Sequence, residues 1–177
     1  IMKASAKLQN FLLAGLMTAI TAICSWINIG LFFTPIPINL ALMGPYISGL
    51  LLGSRYGVLS QTAYVLMGAF GLPVFAGFAS GVGVLAGPTG GFIAGYVLCS
   101  AICGLSVRKK GTKHRLLLML LGLTACYVCG LIWFMFVTGA ALWAALVSCV
   151  FPFLLGDAVK IALTALLTKH LSNALKI

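Results

Sequence analysis

The sequence predicts an all-α integral membrane protein, with six transmembrane helices in a single domain over residues 1–177. Two observations on composition lead to this class, since 62% of the residues are hydrophobic and only 7% are charged. The mean hydropathy of +1.18 agrees with them. A soluble domain of this length is not so poor in charge, so lipid forms part of the solvent around the chain.

A third observation, the distribution of the basic residues, predicts the topology. Apart from Lys160, they lie before the first apolar segment, after the second, between the fourth and fifth, and at the end of the sixth: Lys3, Lys7, Arg55, Arg108, Lys109, Lys110, Lys113, Arg115, Lys169 and Lys176. The other connections carry no charge, which is the positive-inside distribution. Both termini are therefore expected in the cytoplasm, and the net charge of +10 indicates multi-pass insertion into the cytoplasmic membrane rather than nucleic-acid binding.

The first predicted helix, residues 8–31, carries a stripe of small residues and is long enough to cross a bilayer. The stripe consists of Ala14, Gly15, Thr18, Ala19 and Ala22. Such a stripe allows another helix to approach closely. Two alternatives remain open: the stripe packs inside the bundle, or it faces a separate membrane protein.

The second and third helices are predicted over residues 39–53 and 56–72. The preceding Thr34-Pro35-Ile36-Pro37 ends the first helix in extended backbone, because proline disfavours a continuing helix. Pro45 predicts a kink in the second helix. The fourth, fifth and sixth helices are predicted over residues 89–107, 116–137 and 153–171.

The connection between helices 3 and 4, residues 71–91, is rich in glycine and apolar residues, and we call it the lid segment. It is too broken by Gly and Pro for a spanning helix and too apolar for a loop in water. Irregular backbone at membrane depth is tolerated where it is buried in protein or lines a cavity. We therefore expect it to fold over the outer end of the bundle, with Phe75 and Phe78 supplying apolar surface.

Two short motifs are not interpreted as functional sites. Gly81-Val-Gly83-Val-Leu-Ala86 fits a dinucleotide fingerprint as a string, but it lacks the preceding strand and the later acidic residue. Cys126 and Cys129 have metal-site spacing, but no second pair or nearby His completes a ligand set. Neither nucleotide nor metal binding is predicted.

Asp157 is the only acidic residue in the sequence, and Lys160 follows it on the same helical face. A charge in hydrocarbon is costly unless it is paired, hydrated or facing a cavity, so the pair predicts a ligand site. The structural alternative is that Asp157 lies in the first turn of its helix, where the dipole favours an anion and Lys160 neutralises it. The topology places the pair on the outer side with the lid segment, which is typical of a pocket for a small, partly polar molecule.

Five motifs occur in order along nearly the whole chain: Pro35-Ile-Pro-Ile38, Leu52-Gly-Ser-Arg-Tyr-Gly57, Gly71-Leu-Pro-Val-Phe-Ala-Gly-Phe78, Gly87-Pro-Thr-Gly-Gly91, and Pro152-Phe-Leu-Leu-Gly-Asp157 with Lys160. Together they closely resemble the BioY family, the biotin-binding S components of energy-coupling-factor (ECF) transporters. The resemblance implies six helices, with biotin near the outer face beneath the lid segment. It implies a set of ligand-binding residues: Asn39, Phe75, Phe78, Gly83, Thr89, Gly90, Tyr96, Asp157 and Lys160. It also implies that the stripe on the first helix docks a transmembrane coupling subunit, which two ATPase subunits drive.

Biotin suits the pocket expected from the residues, because its ureido ring offers two N–H donors and a carbonyl. Asp157 would accept from the former, and Lys160 would donate either to the latter or to the valerate carboxylate at the other end of biotin. No cofactor is expected besides biotin as the transported ligand. A self-sufficient secondary carrier for biotin or a related small carboxylate, with Asp157 as the proton-coupling group, is the alternative. An enzyme is not expected, because one carboxylate beside one lysine is too small an inventory for catalysis.

Overall fold

The computed structural model describes residues 2–32, 34–108 and 111–175, and most of them are helical. The helices are α1 Met2–Trp26, α2 Met43–Ala69, α3 Val82–Ala86, α4 Gly90–Cys103, α5 Thr112–Thr138, α6 Leu142–Cys149 and α7 Phe151–Leu175, with 3₁₀ turns at Ala76–Phe78 and Gly104–Arg108. The strands β1 Asn28–Leu31 and β2 Thr34–Asn39 form an antiparallel hairpin. Of the basic residues that carry the topology prediction, Lys109, Lys110 and Lys176 lie outside the described residues.

Three of the described helices are long and apolar enough to cross a membrane: Lys7–Trp26, Thr112–Thr138 and Phe151–Thr168. Their surfaces carry many exposed apolar side chains, such as Leu120, Ile132 and Leu155. Such surfaces are expected where hydrocarbon is the surrounding medium. The mostly helical membrane class is therefore confirmed, while the number of six spans stays a prediction.

Helix α2 reverses direction at Gly53, whose backbone is not helical (φ 78°, ψ 171°). Gln61 Nε2 donates to Ser48 Oγ at 3.1 Å across 13 positions of sequence, which in a straight helix would be separated by about 20 Å. The arms 43–52 and 54–69 therefore run antiparallel, as predicted for residues 39–53 and 56–72. The predicted kink at Pro45 is wrong, because Pro45 lies in the first turn of α2, where its missing N–H costs no hydrogen bond.

The hairpin is a departure from the all-α prediction, which extended the first helix to residue 31. Helix α1 ends at Trp26, and the N–H of Leu40 donates to the carbonyls of Cys24 at 3.2 Å and Ile27 at 3.3 Å. The helix end thus gains a donor for one of its free carbonyls from the chain that follows the hairpin. Extended backbone around Pro35 and Pro37 pairs with β1, and this long-range pairing supplies hydrogen bonds that the local pattern does not predict.

Helices α4 and α5 lie close together at positions occupied by glycine. A Cβ on Gly95 of α4 would lie 2.9 Å from the Cα of Cys126, and one on Gly122 of α5 would lie 2.9 Å from the Sγ of Cys99. Small residues at a helix interface allow backbones to approach, which provides van der Waals contact in place of a hydrophobic driving force. The contact fixes the position of α5, which supplies one wall of the cavity described next.

Candidate functional site

A cavity of about 330 Å³ lies between the hairpin, α2, the lid segment and helices α4, α5, α6 and α7. Its walls are mainly apolar and aromatic, with Phe75, Phe92 and Phe153 among them. The polar or ionisable side chains that line it are Asn39, Tyr64, Thr89, Tyr96, Cys126, Tyr127, Cys149, Asp157 and Lys160. An apolar cavity with a few convergent polar groups is the usual form of a site for a small molecule.

Asp157 and Lys160 form a buried ion pair in the wall of this cavity. Lys160 Nζ donates to Asp157 Oδ1 at 2.7 Å, and the two side chains are only 6% and 4% exposed. Helix α7 begins at Phe151, and its first turn contains no acidic residue. Because the influence of the helix dipole is confined to the first turn, it does not account for Asp157 at this position. The alternative that the pair is purely structural therefore loses the support of the helix dipole and keeps only the neutralisation of Asp157 by Lys160. A ligand in the cavity would explain why both charges are present.

Tyr127 completes the polar group around the carboxylate, because its hydroxyl donates to Asp157 Oδ2. Each carboxylate oxygen thus has one protein donor, and each can still accept a further hydrogen bond. The ammonium of Lys160 has three N–H donors, of which the bond to Asp157 uses one. The site can therefore offer a ligand both acceptors and donors at one place.

Tyr127 was not among the residues predicted from the sequence. It is the only tyrosine of α5, in an otherwise apolar stretch, and no spacing relates it to Asp157 thirty positions later. A phenol in the middle of an apolar helix was the available signal, since a buried tyrosine hydroxyl usually finds a hydrogen-bond partner.

The lid segment forms one wall of the cavity, where Phe75 is 1% exposed. Its ring packs edge-to-face against Tyr64, with centroids 5.5 Å apart. A Cβ on Gly68 would overlap this ring, so glycine at 68 makes room for Phe75. The folding of this segment against the bundle agrees with its predicted position.

Two tryptophans attach the lid segment to neighbouring helices. Trp26 Nε1 donates to the carbonyl of Pro73 at 2.8 Å, and Trp133 Nε1 donates to that of Gly87 at 3.0 Å. These hydrogen bonds satisfy irregular backbone that would otherwise be costly in an apolar environment. The segment is thus tied to α1 at one end and to α5 at the other.

Six of the nine predicted ligand-binding residues line the cavity: Asn39, Phe75, Thr89, Tyr96, Asp157 and Lys160. The other three are not among the residues that line it. Phe78 is 61% exposed and stacks on Trp26, with centroids 5.0 Å apart. Gly83 lies on the exposed side of α3, and Gly90 is buried where a Cβ would overlap the backbone of Leu85.

The small-residue stripe of α1 divides into two faces. Ala14, Thr18 and Ala22 are buried, and Thr18 Oγ1 donates to the carbonyl of Ser60 at 2.9 Å. These three positions pack inside the bundle against α2, so the docking prediction is corrected for them. Gly15 and Ala19 are exposed on the other face, and for them docking stays a prediction.

The sequence matches the BioY family over residues 2–177. The chain belongs to the BioY family. The family consists of transporters rather than enzymes, so the expectation of a non-enzymatic membrane transport protein is confirmed. Family membership also agrees with a chain that crosses the membrane several times.

Two relatives and one solved structure illustrate the similarity. A probable biotin transporter BioY of Pyrococcus horikoshii is 34% identical over 167 residues, which cover 94% of this chain and 98% of that protein. A biotin transporter BioY of Thermotoga maritima is 42% identical over 103 residues, covering 58% of this chain and 60% of that protein. The crystal structure of the S-component for biotin from an ECF-type ABC transporter has a TM-score of 0.89 at 29% identity, and the match covers 96% of this chain and 93% of that one.

Proposed function

We propose that this chain binds biotin in the cavity and mediates its uptake as the substrate-binding subunit of an ECF-type transporter. The observation that carries the proposal is the buried Asp157–Lys160 pair in the wall of a cavity of about 330 Å³, in a chain of the BioY family. An ion pair kept in such surroundings is explained by a ligand that uses both charges.

The pair is matched to one edge of the ureido ring of biotin. Asp157 Oδ1 and Lys160 Nζ lie 2.7 Å apart, and the nitrogen and oxygen of an adjacent N–H and C=O lie about 2.3 Å apart from their bond lengths. Oδ1 accepts the N–H while Nζ donates to the carbonyl, so two charge-assisted hydrogen bonds form side by side. The second N–H points to the far side of the carbonyl, away from this carboxylate.

The remainder of biotin occupies the apolar part of the cavity. The thiophane ring and the valeryl chain pack on Phe75 and on other apolar side chains of the wall. Asn39 Oδ1 accepts from the N–H of Ala41 at 3.1 Å, which leaves the amide NH₂ of Asn39 to donate to the valerate carboxylate. Thr89 and Tyr96 line the same cavity and complete the proposed contact set.

The proposed topology has six spans, formed by α1, the two arms of α2, α4, α5 and α7 in one domain over residues 1–177. Both termini lie in the cytoplasm and the chain lies in the cytoplasmic membrane, with the lid segment and Asp157 on the outer side. The exposed Arg55 just after the reversal at Gly53 supports a cytoplasmic position for that turn. Reaction of single introduced cysteines with a membrane-impermeant reagent tests the topology, and labelling at position 78 from the cytoplasmic side would contradict it.

The proposed partners are a transmembrane coupling subunit and two ATPase subunits. The exposed Gly15 and Ala19 provide a face of α1 on which another helix approaches closely. Replacing Gly15 by Leu is expected to abolish co-purification of the coupling subunit while biotin binding by the isolated chain is retained. Uptake by the chain alone in proteoliposomes, if a protonophore collapsed it, would instead favour the secondary carrier.

Isothermal titration of the detergent-purified chain tests the binding function. Biotin is expected to bind tightly without nucleotide, and an analogue methylated at the ureido nitrogens is expected to bind much more weakly. Asp157→Asn is expected to cause a large loss of biotin affinity. Failure of the parent chain to bind biotin would refute the proposal, and undiminished binding by both Asp157→Asn and Lys160→Ala would refute the site.

A further inference from the structure

We propose that Tyr127 is a positioning residue, which fixes the Asp157 carboxylate in the orientation that receives the ligand. This inference rests on the proposed function, because it assigns a role within the same site. Its basis is a hydrogen bond from the Tyr127 hydroxyl to Asp157 Oδ2, together with the bond from Lys160 to Oδ1. The two donors come from different helices, α5 and α7.

The need for a second donor follows from the freedom of a carboxylate. The terminal torsion of an aspartate is broad and roughly two-fold, so one donor alone does not fix the plane of the group. Lys160 is a compact point charge on a flexible stem, and it would follow either oxygen. A tyrosine ring has only two side-chain torsions, and so its hydroxyl provides a rigid reference for Oδ2.

The position of Tyr127 also determines which edge of the carboxylate receives the ligand. With Oδ2 engaged by α5, Oδ1 and the Lys160 ammonium remain as an adjacent acceptor and donor 2.7 Å apart. This pair is complementary to an N–H beside a carbonyl, as in a cyclic urea. Tyr127 therefore favours ligands with that edge over ligands that share only the apolar body and the carboxylate tail.

Packing alone does not account for the hydroxyl. Tyr127 lines the cavity and is only half-buried, so a phenylalanine ring fits the same space. What Tyr127→Phe removes is the one donor to Oδ2 that the structure describes. A hydrogen bond to a charged group contributes enough that its loss is expected to weaken biotin binding about 10- to 100-fold.

A double-mutant cycle measured by titration with biotin tests the role. The chains are the parent, Tyr127→Phe, Asp157→Ala and the double variant, with Tyr56→Phe as the matched control. Tyr56 lies outside the cavity, with its ring edge-to-face on Phe11 at 5.6 Å. If Tyr127 acts through the Asp157 carboxylate, Tyr127→Phe changes affinity less than about two-fold in the Asp157→Ala background, where Tyr127 has no acceptor at residue 157. Tyr56→Phe is expected to bind as the parent does.

A second measurement makes the test independent of residual binding by Asp157→Ala. The ratio of affinities for biotin and for its analogue methylated at the ureido nitrogens is measured on the parent and on Tyr127→Phe. Positioning predicts that the ratio falls about tenfold or more, because only biotin uses the oriented carboxylate. A purely structural role weakens both ligands equally.

The outcomes separate the two proposals. If the parent does not bind biotin, the proposed function fails and the ratio is undefined for that reason. If the parent binds and Tyr127→Phe keeps the parent's affinity, or loses affinity with an unchanged ratio, the positioning role is overturned while the proposed function stands. A lower ratio supports the positioning role, provided that Tyr127→Phe causes no further loss in the Asp157→Ala background wherever that binding is measurable.

Discussion

Replacing both members of the ion pair, Asp157→Asn with Lys160→Met, separates a role in ligand binding from a role in folding. Either single change leaves one ionisable or polar partner unmatched in a buried place, so a loss of binding would be mixed with a loss of stability. In the double variant both charges disappear together. The introduced asparagine can still accept from Tyr127, and the introduced methionine fills the volume of the lysine stem.

The expected magnitudes follow from the burial of the pair. Asp157→Asn alone leaves Lys160, whose side chain is 6% exposed, without its counter-ion, and breaking a buried pair in this way typically costs about 3–5 kcal/mol of stability. The double variant is expected to recover most of that loss, since neutral replacement of a buried pair is often neutral or stabilising. Biotin binding by the double variant loses two charge-assisted hydrogen bonds, about 3–6 kcal/mol together, which is on the order of 10²- to 10⁴-fold in affinity.

The assay combines thermal unfolding of the ligand-free chains with titration by biotin in the same detergent. Thr168→Val serves as the control, because Thr168 is buried on α7 outside the cavity and bonds to the carbonyl of Thr164. It is expected to change stability slightly and affinity not at all. A double variant that unfolds like the parent and also binds biotin like the parent would refute the reasoning, since the pair would then not be needed for ligand binding.

Two further predictions concern the lid segment. Gly68→Val places methyl groups where the Phe75 ring lies and pushes that ring into the cavity, so titration should show biotin affinity reduced about tenfold or more. Gly83→Ala is the control, because a Cβ at Gly83 meets no atom within 4 Å, and it should bind as the parent does. Equal biotin affinity of the two variants would contradict the packing argument. Trp133→Phe removes the hydrogen bond to the Gly87 carbonyl. Stopped-flow displacement should therefore show a faster dissociation rate for biotin, with little change in its association rate. An unchanged dissociation rate would show that this contact does not hold the lid segment closed.

The helical class was predictable because it depends on composition and on the spacing of apolar segments, which are properties of the whole chain. The reversal of α2 was predictable in position because Gly53 and Arg55 interrupt the apolar run. The hairpin was not, since its strands are stabilised by pairing with each other and by Leu40 bonding back to α1. Such long-range hydrogen bonds leave no periodic signal in a short segment rich in Ile, Phe and Pro.

The site was predictable where a residue was chemically unusual for its surroundings. Asp157 was identified because it is the sole acidic residue, and Lys160 because it shares a helical face with it. Motif resemblance was less discriminating, because a motif contains residues that pack the fold as well as residues that line the cavity. Gly90 packs closely against the backbone of Leu85, and Phe78 stacks on Trp26.

The buried polar groups away from the cavity are neutral, in contrast to the ion pair in its wall. Gln61 Nε2 donates to Thr21 Oγ1 at 3.2 Å and to Ser48 Oγ at 3.1 Å, so neutral side chains tie α1 to both arms of α2. Interhelical hydrogen bonds of this kind contribute roughly 0.6 kcal/mol each in membranes, and none of these groups carries the cost of a buried charge. Within the part of the chain that the structure describes, the one ion pair lies in the cavity wall. Because neutral groups suffice to hold these helices together, the charges of Asp157 and Lys160 are better explained by what the cavity binds than by the packing of α7.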